Sequence, residues 1–274
     1  HGMRSFVVNQ RLSGDEQGRR MAAILAEAGV ATGLVSADDR PSPLSLVERG
    51  SEMQSARYSI HLADTAHAPP DLPANWLDGA AHLHVSSFSA VVGAWGEAVG
   101  EALYSARGCV TRSFDLNIRP NLLPGREATR ELVAARLTEV EIVKASDDDL
   151  RWLFPGADPE QIAADWSRPG LIAILTRGAD GASTFIHGAE VSRLATSVAV
   201  VDTVGAGDAF MAAFLARAWE HRLLHGLAGQ DADTIGELLA FANAAAALCC
   251  RRAGADMATR AELDLFLEQS RSSS

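Results

Sequence analysis

The chain has 274 residues, and with 47% hydrophobic and 22% charged side chains it can bury a core, which excludes a disordered protein and a coiled coil. Its 24 basic and 35 acidic side chains leave a formal net charge of −11, and because Lys and Arg provide most nucleic-acid affinity, we expect no nucleic-acid partner. Three cysteines exclude a disulfide framework, and no long apolar run or leader pattern indicates a membrane partner or export, so we expect a cytoplasmic protein.

The first third of the chain predicts a strand and a helix followed by a small hairpin. An apolar run at 5–8 indicates the strand, and apolar positions spaced three and four apart at 19–28 indicate the helix, which ends at a glycine. Short alternating segments at 44–47 and 58–62 then predict two antiparallel strands of an accessory sheet.

From residue 80 onward, strands and helices alternate. We predict strands at 82–85, 110–116, 140–143, 171–175 and 198–201, a hairpin of 183–186 with 190–194, and helices at 90–106, 126–137, 147–153, 206–221, 235–250 and 260–270. This alternation predicts an α/β protein with a parallel sheet covered on both faces. No linker interrupts the pattern, so we expect a single domain over 1–274.

The segment 198–210 carries the clearest chemical signal. A β-branched run leads into Gly205, Ala206 and Gly207, and an alanine-rich helix begins there. Small residues let a ligand approach the backbone, and the free amides of a first helical turn attract an anion. Asp208 lies beside that anion site, where it could take a proton from an attacking hydroxyl group. The alternative is a tight turn that Asp208 merely caps.

The string DTVGAGDAF at 202–210 resembles the C-terminal signature of the ribokinase-like (pfkB) carbohydrate kinases. Four further segments are similar to motifs of that family and occur in its order, at 113–120, 143–146, 176–181 and 241–244. The resemblance implies a ribokinase-like three-layer sandwich with a mostly parallel central sheet. It also implies a small β-sheet lid, to which residues 36–66 contribute the strands.

The resemblance further implies a role for each matched residue. Asp208 would be the catalytic base, and Gly205, Ala206 and Gly207 would form the anion hole. The residues implied to bind the sugar are Asn117, Arg119 and His61, and those implied to bind ATP are Lys144, Ser146, Thr176, Gly178, Gly181 and Asn243. The family's Asn-x-x-Glu motif is here 146–149, so Asp149 is implied to hold Mg²⁺ through water, and a K⁺ ion is implied near Asp202 and 254–255.

Several of these residues also have ordinary structural explanations. Arg119 could form a surface salt bridge, 176–181 could be a plain turn, and His61 could be an exposed strand histidine. Asn243 could be structural within its helix, and Asp149 could belong to an acidic helix N-terminus. His82 and His84 share one face of a strand, but no third ligand follows at a metal-site spacing, so we expect them to be structural.

The substrate is expected to be a neutral sugar. The segment RPSPLSLV at 40–47 is similar to the lid of fructokinases, and Leu62 stands where kinases of 2-keto-3-deoxygluconate tend to place an arginine. A fructokinase is therefore the leading interpretation. The alternatives are a 2-keto-3-deoxygluconate kinase, a nucleoside kinase, and a catalytically silent relative that binds a nucleotide or sugar.

Two further expectations follow from the resemblance. The family normally opens with a core strand, a substrate-binding Asp and a Gly-Gly-x-x-x-Asn segment, and the sequence has no Gly-Gly dipeptide, so we expect that region to be absent. Lid strands in the family often pair between subunits, which implies a homodimer formed through the lid.

Overall fold

The computed structural model describes residues 4–7, 11–48, 57–69 and 71–272. The strands are β1 (Leu12–Ser13), β2 (Ala37–Asp38), β3 (Leu44–Glu48), β4 (Arg57–His61), β5 (His82–Ser86), β6 (Thr111–Asp115), β7 (Ile142–Ser146), β8 (Ile172–Thr176), β9 (Ala182–Ile186) and β10 (Ala189–Arg193). The helices are α1 (Glu16–Glu27), α2 (Gly93–Ser105), α3 (Arg126–Leu137), α4 (Asp147–Leu153), α5 (Pro159–Trp166), α6 (Ala206–Glu220), α7 (Ala232–Cys250) and α8 (Arg260–Ser272).

The central sheet has six strands in the order β10-β9-β8-β7-β6-β5. Strands β5 to β8 run parallel to one another, whereas β9 and β10 are antiparallel, which confirms the predicted mostly parallel sheet with a terminal hairpin. Parallel strands that are buried on both faces have continuous apolar sequences. Strand β8 is an example, with four of its five residues buried. The carboxyl ends of β6, β7 and β8 therefore lie at one edge of the sheet.

Helices cover both faces of this sheet and form two apolar cores. One core joins the sheet to α6, α7 and α8 and includes Phe214, Leu239 and Leu263. The other joins the sheet to α2, α3, α4 and α5 and includes Phe114 and Leu150. By length and composition α7 could cross a membrane, but 67% of its most apolar window is buried in this fold, as expected for a core helix. The three-layer arrangement is as predicted.

The accessory hairpin forms the lid, which we define as β3 and β4. The two strands pair antiparallel, with Leu44 opposite His61 and Ser45 opposite Ile60, which confirms the predicted hairpin. Residues 49–56, which join the two strands, lie outside the described residues. The predicted first strand at 5–8 is only partly described, and there the backbone makes a single parallel bridge, between Phe6 and Ala31.

Helix α1 begins earlier than the sequence pattern predicts. Asp15 caps it by accepting from the Gly18 amide at 2.8 Å, so the first turn forms before the apolar positions begin. Met21 and Ile24, which were expected to define its buried face, are 48% and 49% exposed. Amphipathic spacing therefore identified the helix correctly, but within the described part of the chain that face is not covered.

Two further elements differ from the prediction. The expected strand at 198–201 is wrong: the described structure has no strand there, and the Val201 amide donates to the Cys250 carbonyl at 2.8 Å. Val200 and Val201 stay exposed, so β-branched composition alone did not make a strand. Helix α5 was missed, although Asp158 at its N-cap and Pro159 at its first position are typical of a helix start.

Candidate active site

The turn before α6 has the geometry that its glycines allow. Gly205 has φ +80°, a left-handed conformation, and a methyl group added there would lie 2.7 Å from Cβ of Ala255. The Ala206 amide donates to the Thr203 carbonyl at 3.2 Å, which closes the turn. The next amides, of Gly207 and Asp208, belong to the first turn of α6, where a helix supplies no acceptors of its own. They are the amides best placed to receive an anion.

Asp208 opens onto the cleft from this first turn. The walls of the cleft keep part of the surrounding water away, and this desolvation raises the pKa of the Asp208 carboxyl above its usual value. The nearby Asp115 carboxylate raises that pKa further, whereas Lys144 and Arg119 lower it. A carboxylate with a raised pKa is a better proton acceptor, as a general base requires.

The end of β6 presents Asn117 and Arg119. Asn117 has φ +41°, a left-handed conformation that Asn tolerates better than most residues, and it turns the chain out of the strand. The Arg119 guanidinium is half-buried and donates from Nη1 to the Ile118 carbonyl at 3.0 Å. Its charge acts on Asp208, so the structure brings this predicted substrate residue to the predicted base.

Lys144 and Asp115 form a buried ion pair on the neighbouring strands β7 and β6. Nζ of Lys144 lies 2.9 Å and 3.0 Å from the two carboxylate oxygens, and the two side chains are only 5% and 2% exposed. Burial by itself would lower the pKa of Lys144, but the Asp115, Asp149 and Asp208 carboxylates raise it above its usual value. Lys144 was predicted to bind the nucleotide, whereas its observed partner is Asp115.

Ser146 and Asp149 form the N-terminal cap of α4. Oγ of Ser146 accepts from the Asp149 amide at 3.0 Å, and Oδ2 of Asp149 accepts from the Ser146 amide at 2.9 Å. Oδ1 of Asp149 accepts from the Ile118 amide at 2.8 Å, which ties the end of β7 to the loop after β6. Both carboxylate oxygens are thus engaged by the backbone, so the alternative structural explanation is sufficient for Asp149. Its metal-binding role stays a prediction.

The predicted nucleotide residues after β8 occupy a tight turn. Gly181 has φ +86°, and a methyl group there would lie 2.2 Å from the Arg193 carbonyl oxygen, so only glycine fits. Nδ2 of the buried Asn243 donates to the Arg193 and Leu194 carbonyls at 3.0 Å and 3.1 Å. Asn243 therefore holds the end of β10 against α7. This is the structural role that the sequence had left open.

One cleft of about 1210 Å³ brings these residues together. Single-ligand pockets measure roughly 300–1,000 Å³, so the cleft is larger than a typical pocket for one ligand. The predicted residues that line it are Asn117, Arg119, Lys144, Ser146, Asp149, Thr176, Gly178, Gly181, Gly205, Ala206, Gly207, Asp208 and Asn243.

His61 is the one predicted site residue that the structure does not bring to the cleft. Successive side chains of a strand point to opposite faces, and on β4 it is Ile60 that lines the cleft while His61 is exposed. His61 shares the outer face of the lid with its cross-strand partner Leu44. The lid residue that lines the cleft is thus Ile60, one residue before His61, because a shift of one residue changes the face. A sugar contact of His61 stays a prediction.

Sequence reasoning also gave no role to Asp115, which faces both Lys144 and Asp208. Its signal was present as the acidic residue two positions before Asn117 in the matched 113–120 segment.

The structure gives different results for the two predicted ion sites, one for Mg²⁺ and one for K⁺. Among the described residues, no group of three His, Cys, Asp or Glu side chains is arranged to hold a metal ion. The two segments implied to bind K⁺ do meet, since Oδ2 of Asp202 accepts from the Gly254 amide at 2.9 Å. Oδ1 of Asp202 accepts from the Val204 amide at 3.1 Å.

Comparison with known sequences finds carbohydrate kinases. The profile of pfkB family carbohydrate kinases matches residues 8–261. A fructokinase of Rhizobium leguminosarum bv. trifolii is 32% identical over 179 residues, which are 65% of this chain and 55% of that protein. Fructokinase-1 of Zea mays is 29% identical over 270 residues, 94% of this chain and 81% of the relative. A 2-dehydro-3-deoxygluconokinase of Thermoproteus tenax is 29% identical over 214 residues, 75% of this chain and 65% of the relative.

Solved structures share the fold. A fructokinase with bound ATP from Xylella fastidiosa superposes with a TM-score of 0.82 at 23% identity, covering 96% of this chain and 85% of that one. A fructokinase from Vibrio cholerae O395 bound to fructose, ADP and a calcium ion gives 0.78 at 24% identity, with the same coverage. At these identities the likeness establishes the fold, and it is the expected ribokinase-like sandwich with its lid.

Proposed function

This chain belongs to the pfkB family of carbohydrate kinases, and from that membership we propose that it transfers the γ-phosphoryl group of ATP to a hydroxyl group of a neutral sugar, with fructose as the leading candidate. One observation carries the proposal. Asp208 lies in the first turn of α6, in the same cleft as the carboxyl ends of β6, β7 and β8. A proton acceptor beside an anion-binding turn is the arrangement that phosphoryl transfer requires.

In the proposed reaction, Asp208 accepts the proton of the sugar hydroxyl group as its oxygen attacks the γ-phosphorus, and ADP leaves. The amides of Gly207 and Asp208, in the first turn of α6, would donate to oxygens of the transferred group. The positive end of α6 adds to their effect because helix dipoles favour negative charge at the N-terminus. Arg119 is close enough to influence Asp208 and would bind oxygens of the sugar or the phosphoryl group.

The nucleotide would lie between the turn after β8 and the start of α7. Thr176, Gly178 and Gly181 line that end of the cleft, and Asn243 holds the adjoining backbone in place. We expect Mg²⁺ to enter with the substrate as MgATP, because the nucleotide phosphates and water supply most of its oxygen ligands. A K⁺ ion near Asp202 and Gly254 is part of the same proposal.

Fructose is preferred over a sugar acid because of the lid. Among the lid residues whose side chains the structure describes, Ile60 lines the cleft, and an apolar side chain cannot pair with a carboxylate. The Thermoproteus tenax relative keeps 2-keto-3-deoxygluconate as the second candidate substrate.

We also propose a homodimer formed through the lid, in the cytoplasm. Leu44 and Leu46 lie on the outer face of β3 and are 55% and 56% exposed, an apolar strip that a second lid would cover. The three cysteines are unpaired thiols, which fits a reducing compartment.

The test is ADP release with MgATP across fructose, 2-keto-3-deoxygluconate, ribose and adenosine, for the unaltered chain and for Asp208→Asn. We expect turnover on fructose that falls by roughly 100-fold or more in the variant. Asp233→Asn is the matched control, because Asp233 also lies in the first turn of a helix but on the exposed surface of α7. Turnover on adenosine alone would establish a nucleoside kinase, and ATP binding without turnover would indicate a silent relative.

A further inference from the structure

The buried ion pair between Asp115 and Lys144 lies directly behind the candidate base. The two residues are register partners on adjacent parallel strands, and both carboxylate oxygens of Asp115 accept from Nζ of Lys144. Breaking a buried pair leaves an uncompensated charge, so the fold holds the two groups firmly together. The cleft reaches both residues, although each side chain is almost fully buried.

The ammonium group also touches the anion-binding turn. A methyl group added at Gly207 would lie 3.4 Å from Nζ of Lys144, so no side chain separates the ammonium from the first turn of α6. Asp208 is the next residue. The cation of Lys144 therefore lies between the Asp115 carboxylate on one side and the start of α6 on the other.

We propose that Asp115 and Lys144 are positioning residues that balance the charge around Asp208, so that its carboxylate stays ionised and free to accept a proton. The proposal rests on the proposed function, because only a general base needs this balance. Without Lys144, the Asp115 carboxylate beside Asp208 would lose its ion-pair partner, and like charges so placed favour protonation of one of them. Without Asp115, the ammonium would be free to bind Asp208 itself.

Other charged groups face the same point. Arg119 and Lys144 lower the pKa of Asp208, but desolvation by the cleft walls, together with Asp115, keeps that pKa above its usual value. Asp149 acts on Lys144, but its own oxygens are held by the Ser146 and Ile118 amides, so it cannot take the place of Asp115. Asp115 and Lys144 are therefore two opposite charges beside Asp208 that side-chain substitution can change one at a time.

Three variants separate the two charges. In Asp115→Asn the amide oxygen still accepts from Lys144, so the shape is kept while one negative charge is lost, and we expect the pKa of Asp208 to fall by about one unit. In Lys144→Met the positive charge is lost, and we expect that pKa to rise by about one unit or more. In the double variant, which carries both substitutions, both charges are absent. We expect the pKa of Asp208 to return towards that of the unaltered protein.

The primary readout needs no catalysis. The Asp208 carboxyl carbon is followed by ¹³C NMR during a pH titration of the ligand-free protein, and its signal is assigned by its loss in Asp208→Asn. In the kinase assay, the acid limb of the kcat/KM profile should move in the same direction as each titration. Because the titration is independent of turnover, absence of kinase activity would count against the proposed function and leave this inference to be decided by NMR.

The control is a second ion pair built on the same strands. Arg112 of β6 bonds Glu141, which precedes β7, and neither residue lines the cleft. Glu141→Gln should lower the melting temperature without moving the Asp208 titration. If Asp115→Asn or Lys144→Met behaves like this control, with lower stability and an unmoved titration, the pair is only structural and the inference is overturned. Opposite shifts in the two single variants, cancelled in the double, would establish it.

Discussion

His82, on the outermost strand β5 of the central sheet, predicts a specific loss of stability in acid. Its Nε2 lies 2.7 Å from Oγ of Ser113, and its Nδ1 is buried with no hydrogen-bond partner among the described residues. Burial, together with the smaller effects of the neighbouring His84 and His225, lowers the pKa of His82 to about 3. A protonated imidazole at this position would carry a charge that the fold does not solvate.

The size of the effect follows from proton linkage. An unfolded histidine has a pKa of about 6.5, so at pH 5 nearly every unfolded chain carries the proton at this position whereas almost no folded chain does. The pKa of His82 is lower in the folded chain than in the unfolded chain. The stability that neutral His82 contributes is therefore present above pH 6.5 and is lost as the pH falls. Between pH 7.5 and 5.0 the loss is about 2 kcal/mol. Any folded pKa below roughly 4.5 gives the same result.

The assay is thermal unfolding, followed by circular dichroism, of the unaltered protein and of His82→Gln at pH 7.5 and 5.0. A loss of 2 kcal/mol corresponds to roughly 3–4 °C in melting temperature for a chain of this size. Between pH 7.5 and 5.0, the melting temperature of the unaltered protein should therefore fall by that much more than the melting temperature of His82→Gln. His221→Gln is the matched control, because His221 is an exposed histidine at the C-terminal end of α6. Equal pH dependence in the unaltered protein and His82→Gln would refute the reasoning.

Two other substitutions test the cleft. Gly205→Ala should lower the free energy of unfolding by about 1–3 kcal/mol, because it forces a side chain into a left-handed conformation and against Ala255. The measurement is guanidinium denaturation, and an unchanged midpoint would contradict the geometry of the turn. Ile60→Ala should raise the KM for the sugar several-fold, because it removes apolar contact inside the cleft, whereas His61→Ala should leave it unchanged. The reverse result, measured by initial rates at saturating MgATP, would restore His61 as the sugar contact.

The local chemistry of the site was predictable because it depends on residues adjacent in sequence. The Gly205 to Asp208 segment predicted a turn, a helix start and a carboxylate beside free amides, and the structure has all three. The alternation of apolar runs with helical periods likewise predicted a parallel sheet between two helical layers. These features arise from steric and periodic properties of neighbouring residues, which the sequence states directly.

What only the tertiary structure decided depends on contacts between distant residues. The ammonium group of Lys144 is chemically suited to bind a phosphate, but strand register places Lys144 opposite Asp115. His61 and Ile60 are adjacent, yet the orientation of the lid against the sheet selects which of them faces the cleft. Val200 and Val201 have strand propensity, but no strand in the described part of the chain pairs with them, and the Val201 amide donates to Cys250 at the end of α7 instead. In each case propensity fixes what a residue can do, while register and packing decide which partner it meets.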